Sequence, residues 1–572
     1  MISKKDFMAD FKILNISNQY ADYIVPYASS RQSFLENYEA YGAQILNGYY
    51  GLLHVNRTIL PFPDLATTGY SLIPKLFTLL DTTSLEETGV LTLQRQPYLN
   101  LTGKGILLGF IDTGIDYLHP AFLNNANQTR IAAIWDQSSS QGLPPADYYY
   151  GTEFDQTTIN QALNSDNPYE ICDTRDTNGH GTALAGCACG SADFSIPFSS
   201  PAPDAGILVV KLKEAKPYLR EYYYAKEDAP VYSEADLMMG LRYLAQKAAS
   251  LNLPLVICIG LGTNQGDHGG NSPINNMLTN LPAINPLCNV ITAIGNEGQS
   301  AHHFEHELTA KEAMHTMEIQ VDENTVGFQL EIWGHPPALY SISIRSPLGE
   351  DIPRIPLRLR KQDLISFVLD NTIIYLNYEL VQINSENQLI LLRFQNPSNG
   401  IWQITVHCTE CGDRSFHAWL PITGLLSSNP VFLRPNPGTT LCVPSDSRDV
   451  LTTGAYSAYN QSFYLEGSRG YTFNNLVKPD ICSPGAALTV PRINGGYTTN
   501  SGTSIASAFL SGAVAQLVQW SIGRNPPVYL KNQELLAYLI RGASRRDSIE
   551  YPNPMWRYGT LNLAQIFYVL SG

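Results

Sequence analysis

Residues 500–508 read NSGTSIASA, and the chain runs from them straight into FLSGAVAQLVQW. A long apolar helix that opens on glycine-spaced hydroxyls has two readings. Ser or Thr is a good N-cap, which satisfies orphan N–H groups at a helix start. A serine in the first turn is also a candidate nucleophile, because the positive end of the helix faces any oxyanion formed beside it. The second reading needs a base elsewhere in the chain.

Asp176-Thr177-Asn178-Gly179-His180-Gly181-Thr182 leads into ALAGCACG, a helix of small residues. An imidazole between two glycines sits where the backbone is bare and a second group can approach closely. Upstream, Gly105-ILLGFI-Asp112-Thr113-Gly114 is a continuous apolar run ending in a carboxylate and a tight turn. Such a run reads as a central parallel strand buried on both faces, with Asp112 at the carboxyl end where open α/β sheets carry their sites. Asp116 is the rival carboxylate; it follows the turn and reads as a loop-capping group. Val290-ITAI-Gly295-Asn296-Glu297-Gly298 is another apolar run ending in Gly-Asn. Asn296 is either a turn residue or an amide donor to an oxyanion.

DTG at Asp112, NGHGT at His180, GNEG at Asn296 and SGTSIA at Ser504 together resemble the four signatures of the subtilisin-like serine proteases, in that family's chain order of Asp, His and Ser. The resemblance covers roughly residues 100–300 and 440–545. It implies Ser504 as nucleophile, His180 as base, Asp112 as the group that orients the imidazole, and Asn296 as oxyanion donor. It also implies that substrate pairs as a β-strand with Ile259-Gly260-Leu261-Gly262. Thr263 follows where the family more usually has a second glycine, so the wall of the specificity pocket departs from the family pattern.

The same resemblance implies an α/β fold, a subtilisin-like parallel sheet flanked by helices, with an N-terminal α+β propeptide over residues 1–96. The propeptide is expected to assist folding and then to be cut autocatalytically in the region of Gln94 and Gln96. The catalytic domain occupies 97–304 and 438–572. Between them, MEIQV, VGFQLEIWG, YSISIRSP, DLISFVLD, QLILLRFQ, IWQITVHC and SFHAWLP are short β-rich runs with no helical pattern among them. They predict an inserted antiparallel β-sandwich over 305–437, jelly-roll-like. Its aromatics Phe328, Trp333, Trp402 and Trp419 are expected at interfaces with the propeptide and catalytic domain, or in its own core. Propeptide, insert and LNLTGKGILLGFIDTGIDYLHPAF together resemble the clostridial Csp proteases, which activate a cell-wall-hydrolase zymogen in spore germination. A pseudoprotease that keeps its propeptide in the cleft is the alternative reading.

A length of 572 residues with 44% hydrophobic and 15% charged residues describes a globular chain of several domains. The net charge of −15 argues against nucleic acid as partner. The first twenty residues carry no apolar signal core, no apolar run of membrane-spanning length is expected, and the location read from this is cytoplasmic or spore-associated. Nine scattered cysteines suit free thiols. Cys408 and Cys411 form a single CxxC near His407 and His417, but a structural zinc wants two such pairs. No metal site and no cofactor is expected. The partners expected are a protein or peptide substrate and the chain's own propeptide.

Overall fold

The computed structural model describes residues 13–60, 63, 68–79, 88, 90, 94, 100–193, 198–309, 311–357, 362–382, 385–409 and 414–571. Its centre is a nine-stranded sheet. Leu107–Asp112 lies in the middle, flanked by Leu255–Ile259 on one side and Gly206–Lys211 on the other, all parallel. Cys288–Ala293 and Leu451–Ser457 extend the parallel array on one flank, and Ile131–Asp136 does so on the other. Leu107–Asp112 and Leu255–Ile259 are buried at every position, as their unbroken apolar sequences require.

Helices cover both faces. Thr503–Ile522 and His180–Cys189 pack on one face, in a core with Leu108, Phe110, Val256 and Ile291. Glu234–Ser250 packs on the other, with Leu107, Ile111, Leu208 and Ile257. Thr503–Ile522 is 20 residues long and apolar enough to cross a membrane, contrary to the sequence expectation, yet 83% of its apolar window is buried inside the fold. It is the central helix of the core.

Near the N-terminus, Tyr20–Pro26 and Gln44–Ile45 pair antiparallel with Tyr50–Asn56, and helix Arg31–Asn37 is capped by Ser30, whose Oγ accepts from Ser33 N at 3.1 Å. Beyond the catalytic strands, residues 303–432 form a six-stranded and a five-stranded antiparallel sheet. One hydrophobic cluster runs through all three parts. It includes Tyr23 and Ile73 from the N-terminal unit, Tyr218, Tyr222 and Ala293 from the central domain, and Phe328, Trp333 and Trp402 from the two sheets.

The four aromatics divide between the two expected places. Trp333 meets Tyr70 edge-on at 5.5 Å and Trp419 stacks on His268 at 4.1 Å, so both seal interfaces. Phe328 stacks on Phe394 and Trp402 packs edge-on to Phe367 and Phe394, inside the insert. The thiol expectation needs one correction: seven cysteines are free and buried, whereas Cys408 is disulfide-bonded.

The N-terminal unit is also held by buried charge. Asp22 Oδ1 accepts from Lys216 Nζ at 2.8 Å and lies 2.6 Å from His54 Nδ1. Gln44 Nε2 lies 2.6 Å from His54 Nε2. An amide hydrogen given to Nε2 fixes the other tautomer, so Nδ1–H donates to Asp22 and His54 is neutral. Burial opposes ionisation of Asp22, but the Lys216 charge and the His54 bond outweigh it and hold the carboxyl well below the usual range. Burial likewise holds the His54 imidazole below its ordinary value.

Both groups therefore bind protons more readily in the unfolded chain, so their contribution is full at neutral pH. It weakens as pH falls, first through the ordinary histidine value of 6.5 and later through the ordinary aspartate value of 3.8. Urea unfolding should show a lower midpoint at pH 5.5 than at pH 7.5, and His54→Gln should flatten that difference. Asp22→Ala strands Lys216 as a buried uncompensated cation and should cost about 3–5 kcal/mol; an unchanged midpoint would contradict the pairing.

Candidate active site

Asp112 ends its strand, His180 begins its helix, and Ser504 is the second residue of the core helix. The fold brings the three together. His180 Nδ1 lies 2.8 and 2.9 Å from the two oxygens of Asp112, and His180 Nε2 lies 3.3 Å from Ser504 Oγ. An ionised carboxylate only accepts, so Nδ1 carries the proton and Nε2 is left as the acceptor facing Ser504. Ser504 is fully buried and His180 is 7% exposed. Asp116 is not part of this line: its Oδ2 accepts from Asn494 N at 2.9 Å and its Oδ1 from Leu118 N at 3.3 Å, the loop-capping role expected of it.

Two glycines make the approach possible. A methyl group at Gly181 would overlap the Gly114 carbonyl oxygen and press on Asp112, so only a bare backbone lets the histidine helix start against the strand end. A methyl group at Gly260 would overlap Leu184 and stand 3.2 Å from Ser504 Cβ and 3.3 Å from His180 Cε1. Only a bare backbone at 260 lets these three side chains pack this closely.

Asp176 is a positioning residue that the sequence reading left without a role, and Thr503 is one that the family resemblance implies as shaping the turn at Ser504. Asp176 Oδ1 accepts from Thr113 Oγ1, Asn178 N and Gly179 N, and Oδ2 accepts from Thr182 N and Oγ1, all between 2.7 and 3.0 Å. Thr113 Oγ1 in turn accepts from Gly181 N at 3.0 Å. One carboxylate thus fixes both the Asp112 turn and the His180 helix start. An Asp three to six residues ahead of a glycine-flanked helix start is a usable sequence signal for such a brace.

Thr503 N and Oγ1 donate to Asn296 Oδ1 at 3.2 and 3.1 Å, and Thr503 Oγ1 accepts from Gly295 N at 3.1 Å. With its oxygen turned to Thr503, Asn296 directs its Nδ2 hydrogens the other way. The Ser504 N–H is one of the helix-start donors with no intrahelical acceptor. The geometry therefore offers two donors flanking the serine, suited to a developing negative oxygen.

Glu297 braces the same loop. It accepts from His302 Nδ1 at 2.6 Å, Asn264 Nδ2 at 3.0 Å and Thr423 N at 3.1 Å. Burial opposes its ionisation, but the His302 charge and these donors outweigh it and hold the carboxyl below its ordinary value. His302 stands where the chain enters the insert, and Thr423 lies in the loop between Trp419 and the insert's last strand, Val431–Phe432. Thr263 pairs with Val443, and Asn264 Nδ2 also reaches the Leu420 carbonyl at 3.3 Å. The Thr263–Val443 bonds are backbone to backbone, so the contact with the insert is made by Asn264 and not by the Thr263 side chain.

Of the predicted substrate strand, Leu261–Gly262 pairs with Leu76–Leu79, Leu261 opposite Leu79 and Gly262 opposite Thr78. Leu76 and Phe77 pair on their other edge with Ser233 and Tyr232. A segment of the chain itself therefore fills the strand position, and the Phe77 ring is buried in the core cluster that also holds Tyr232, Leu237 and Leu261. The cleavage region expected from sequence, Gln94 and Gln96, is not part of this strand. Gln94 Nε2 donates to the Ser200 and Pro201 carbonyls at 2.8 and 2.9 Å, beside the C-terminal end of the His180–Cys189 helix. At about 1.5 Å per residue, that end is roughly 14 Å from His180. Gln96 lies outside the described residues.

The subtilase family model matches residues 103–345 and 428–559. Among solved structures, the CspB protease of Clostridium perfringens superposes with a TM-score of 0.75 at 29% identity, over 85% of this chain and 98% of that one. A PII-type proteinase of Lacticaseibacillus paracasei is 41% identical over 68 residues, 12% of this chain. A subtilisin of Bacillus sp. (strain TA39) is 24% identical over 225 residues, 39% of this chain. The chain spans only 4% of the length of that proteinase and 42% of that subtilisin.

Gly181→Ala should separate Asp112 from His180 without unfolding the sheet. A misplacement of about 1 Å in such an array costs about 100-fold. The rate at which a fluorophosphonate labels Ser504 should fall by about that factor while the far-ultraviolet circular dichroism stays unchanged; wild-type labelling would refute the close-approach argument.

Proposed function

Because this chain belongs to the subtilase family, we propose that it is a serine endopeptidase whose nucleophile is Ser504. The observation that carries this is the hydrogen-bonded line from Asp112 through His180 to Ser504. During attack on a peptide carbonyl, Ser504 Oγ–H passes its proton to His180 Nε2 as the Oγ–C bond forms. Asp112 keeps Nδ1 protonated and stabilises the imidazolium. The tetrahedral oxyanion is met by Asn296 Nδ2 and the Ser504 N–H. Collapse returns the proton to the leaving amine, and water then repeats the sequence on the acyl-enzyme. Asn296→Ala should lower kcat on a peptide substrate by about 100- to 1000-fold with little change in KM, the loss typical of one oxyanion donor in subtilisins.

We further propose that the N-terminal unit is a propeptide cut by the same site. Leu76–Leu79 runs antiparallel to Leu261–Gly262 toward Gly260, which borders Ser504. Cleavage is then expected within a few residues beyond Leu79, not near Gln94 and Gln96. Intact mass and N-terminal sequencing of purified wild type should place the new terminus there, and Ser504→Ala should remain full length. A terminus near residue 95, or identical uncut chains, would contradict this assignment. The shared core and the Asp22–Lys216 pair support retention of the cut propeptide, with the insert as a clamp through Glu331, which accepts from Tyr70 Oη and Gly266 N. Deleting residues 305–437 should release it on gel filtration.

The finer reading is limited proteolysis of a cell-wall-hydrolase zymogen during spore germination. It is supported by the likeness to the CspB protease over nearly its whole length. Wild type, but not Ser504→Ala, should clip such a zymogen from its own organism. The full burial of Ser504 favours a second reading, a binding pseudoprotease with the cleft permanently filled. Failure of a fluorophosphonate to label the processed protein would select it.

A further inference from the structure

We propose that His306, Glu312 and His315 form a binding site for a divalent transition ion of the zinc type, on the insert and separate from the catalytic cleft. His306 Nε2 and His315 Nδ1 lie 3.2 and 3.1 Å from the same oxygen of Glu312. All three ligand atoms fall within 4.8 Å of one another. Tetrahedral zinc with bonds of about 2.1 Å sets its ligand atoms about 3.4 Å apart. The cluster is therefore close to the spacing such an ion imposes.

The side chains are packed together by their surroundings; ring-nitrogen lone pairs lie in the ring plane, so ligation requires one imidazole to turn out of the stack, which their partial exposure allows. The two imidazoles stack face to face, centroids 3.4 Å apart and planes 15° from parallel. His315 is backed by the Phe304 ring at 5.9 Å, and His306 lies against Phe416 at 6.3 Å. Glu312 sits in a turn fixed by its own N–H, which donates to the carbonyl and Oγ1 of Thr309. Glu307 adds negative charge close to His306.

The donor set selects the class of ion. Two imidazole nitrogens and one carboxylate suit zinc, cobalt or nickel; calcium and magnesium prefer all-oxygen shells. Side chains of His306 and His315 are about a quarter exposed and Glu312 is half exposed, so water can complete the shell. The sequence reading found no metal because it looked to the CxxC. The position gives the ion a mechanical role. His306 lies in His303–Leu308 of the six-stranded sheet and His315 in Met314–Val321 of the five-stranded sheet. A bound ion pins the first two strands of the insert to each other across the two layers, close to where the chain leaves the Asn296 loop.

The test uses the full-length chain, stripped with a chelator and desalted. Isothermal titration with zinc chloride should give about one ion per chain. Cobalt(II) should develop visible d–d absorption that zinc abolishes, and zinc should raise the thermal unfolding temperature. His306→Gln/His315→Gln should lose these signals, with zinc affinity reduced by roughly tenfold or more, while keeping the wild-type unfolding temperature in chelator. Glu312→Gln, a surface change, serves as the second variant should the double variant misfold, and should weaken zinc binding in the same direction. A wild type that takes up no zinc at micromolar concentration would overturn the site. So would folded variants that bind zinc as wild type does, since the carboxylate would then be only a hydrogen-bond bridge between two imidazoles.

Discussion

The rest of the structure depends on the contact between the first turn of the His180–Cys189 helix and the end of the Leu107–Asp112 strand. That contact exists because Gly181 has no side chain to strike the Gly114 carbonyl. It is held by Asp176, whose two oxygens take donors from both partners. With strand end and helix start fixed, the imidazole has one orientation. Its outer nitrogen meets whatever stands at the start of the neighbouring core helix, and Ser504 stands there. Two helix N-termini then converge on one buried point, where their dipoles add. Chemistry placed there relies on donors already oriented in the folded chain, with little reorganisation at the moment of reaction.

This explains why the catalytic line was legible in the sequence. Buried parallel strands are continuous apolar runs, and the residue that ends such a run is exposed to chemistry by geometry alone. Asp112 and Asn296 were both found that way, and His180 and Ser504 by glycine at a helix start. Even the choice between Asp112 and Asp116 followed from which side of the turn each occupies. The insert was legible because antiparallel sheets with one solvated face leave an alternating pattern.

The rest was carried by contacts between segments distant in sequence. A four-residue strand such as Leu76–Leu79 has too few positions to show a period, and its register is set by Leu261 and Tyr232, not by its own composition. The strand position of Leu76–Leu79 was missed for that reason: nothing local distinguishes a strand that pairs with Leu261–Gly262 from one that merely precedes a domain. Asp22, His54 and Lys216 are up to 194 residues apart in sequence, and each alone reads as an ordinary surface residue. The aromatics of the insert posed the same difficulty. Trp333 and Trp402 sit in equally apolar strands, yet one faces Tyr70 and the other Phe394.

The shared core alters what a cut beyond Leu79 would do to the N-terminal unit. In a chain whose N-terminal unit touched the rest only through its cleft strand, severing that strand would leave a short augmented edge as the sole attachment. Here Tyr23 and Ile73 belong to the cluster that contains Tyr218, Ala293 and Trp333. Separation would expose apolar surface on all three parts at once, at about 25 cal/mol per Å². It would also unpair Asp22 from Lys216 and Glu331 from Tyr70. A buried charge is tolerable only while its partner stays, so the ionic contacts, modest as net contributors to folding, become strong penalties against dissociation. The same logic reaches the Asn296 loop, since Glu297 depends on His302 at the start of the insert and on Thr423 in the loop before its last strand. In this fold the insert does not hang from the catalytic domain. Its entry and the loop before its last strand are both bonded to Glu297, the residue next to Asn296.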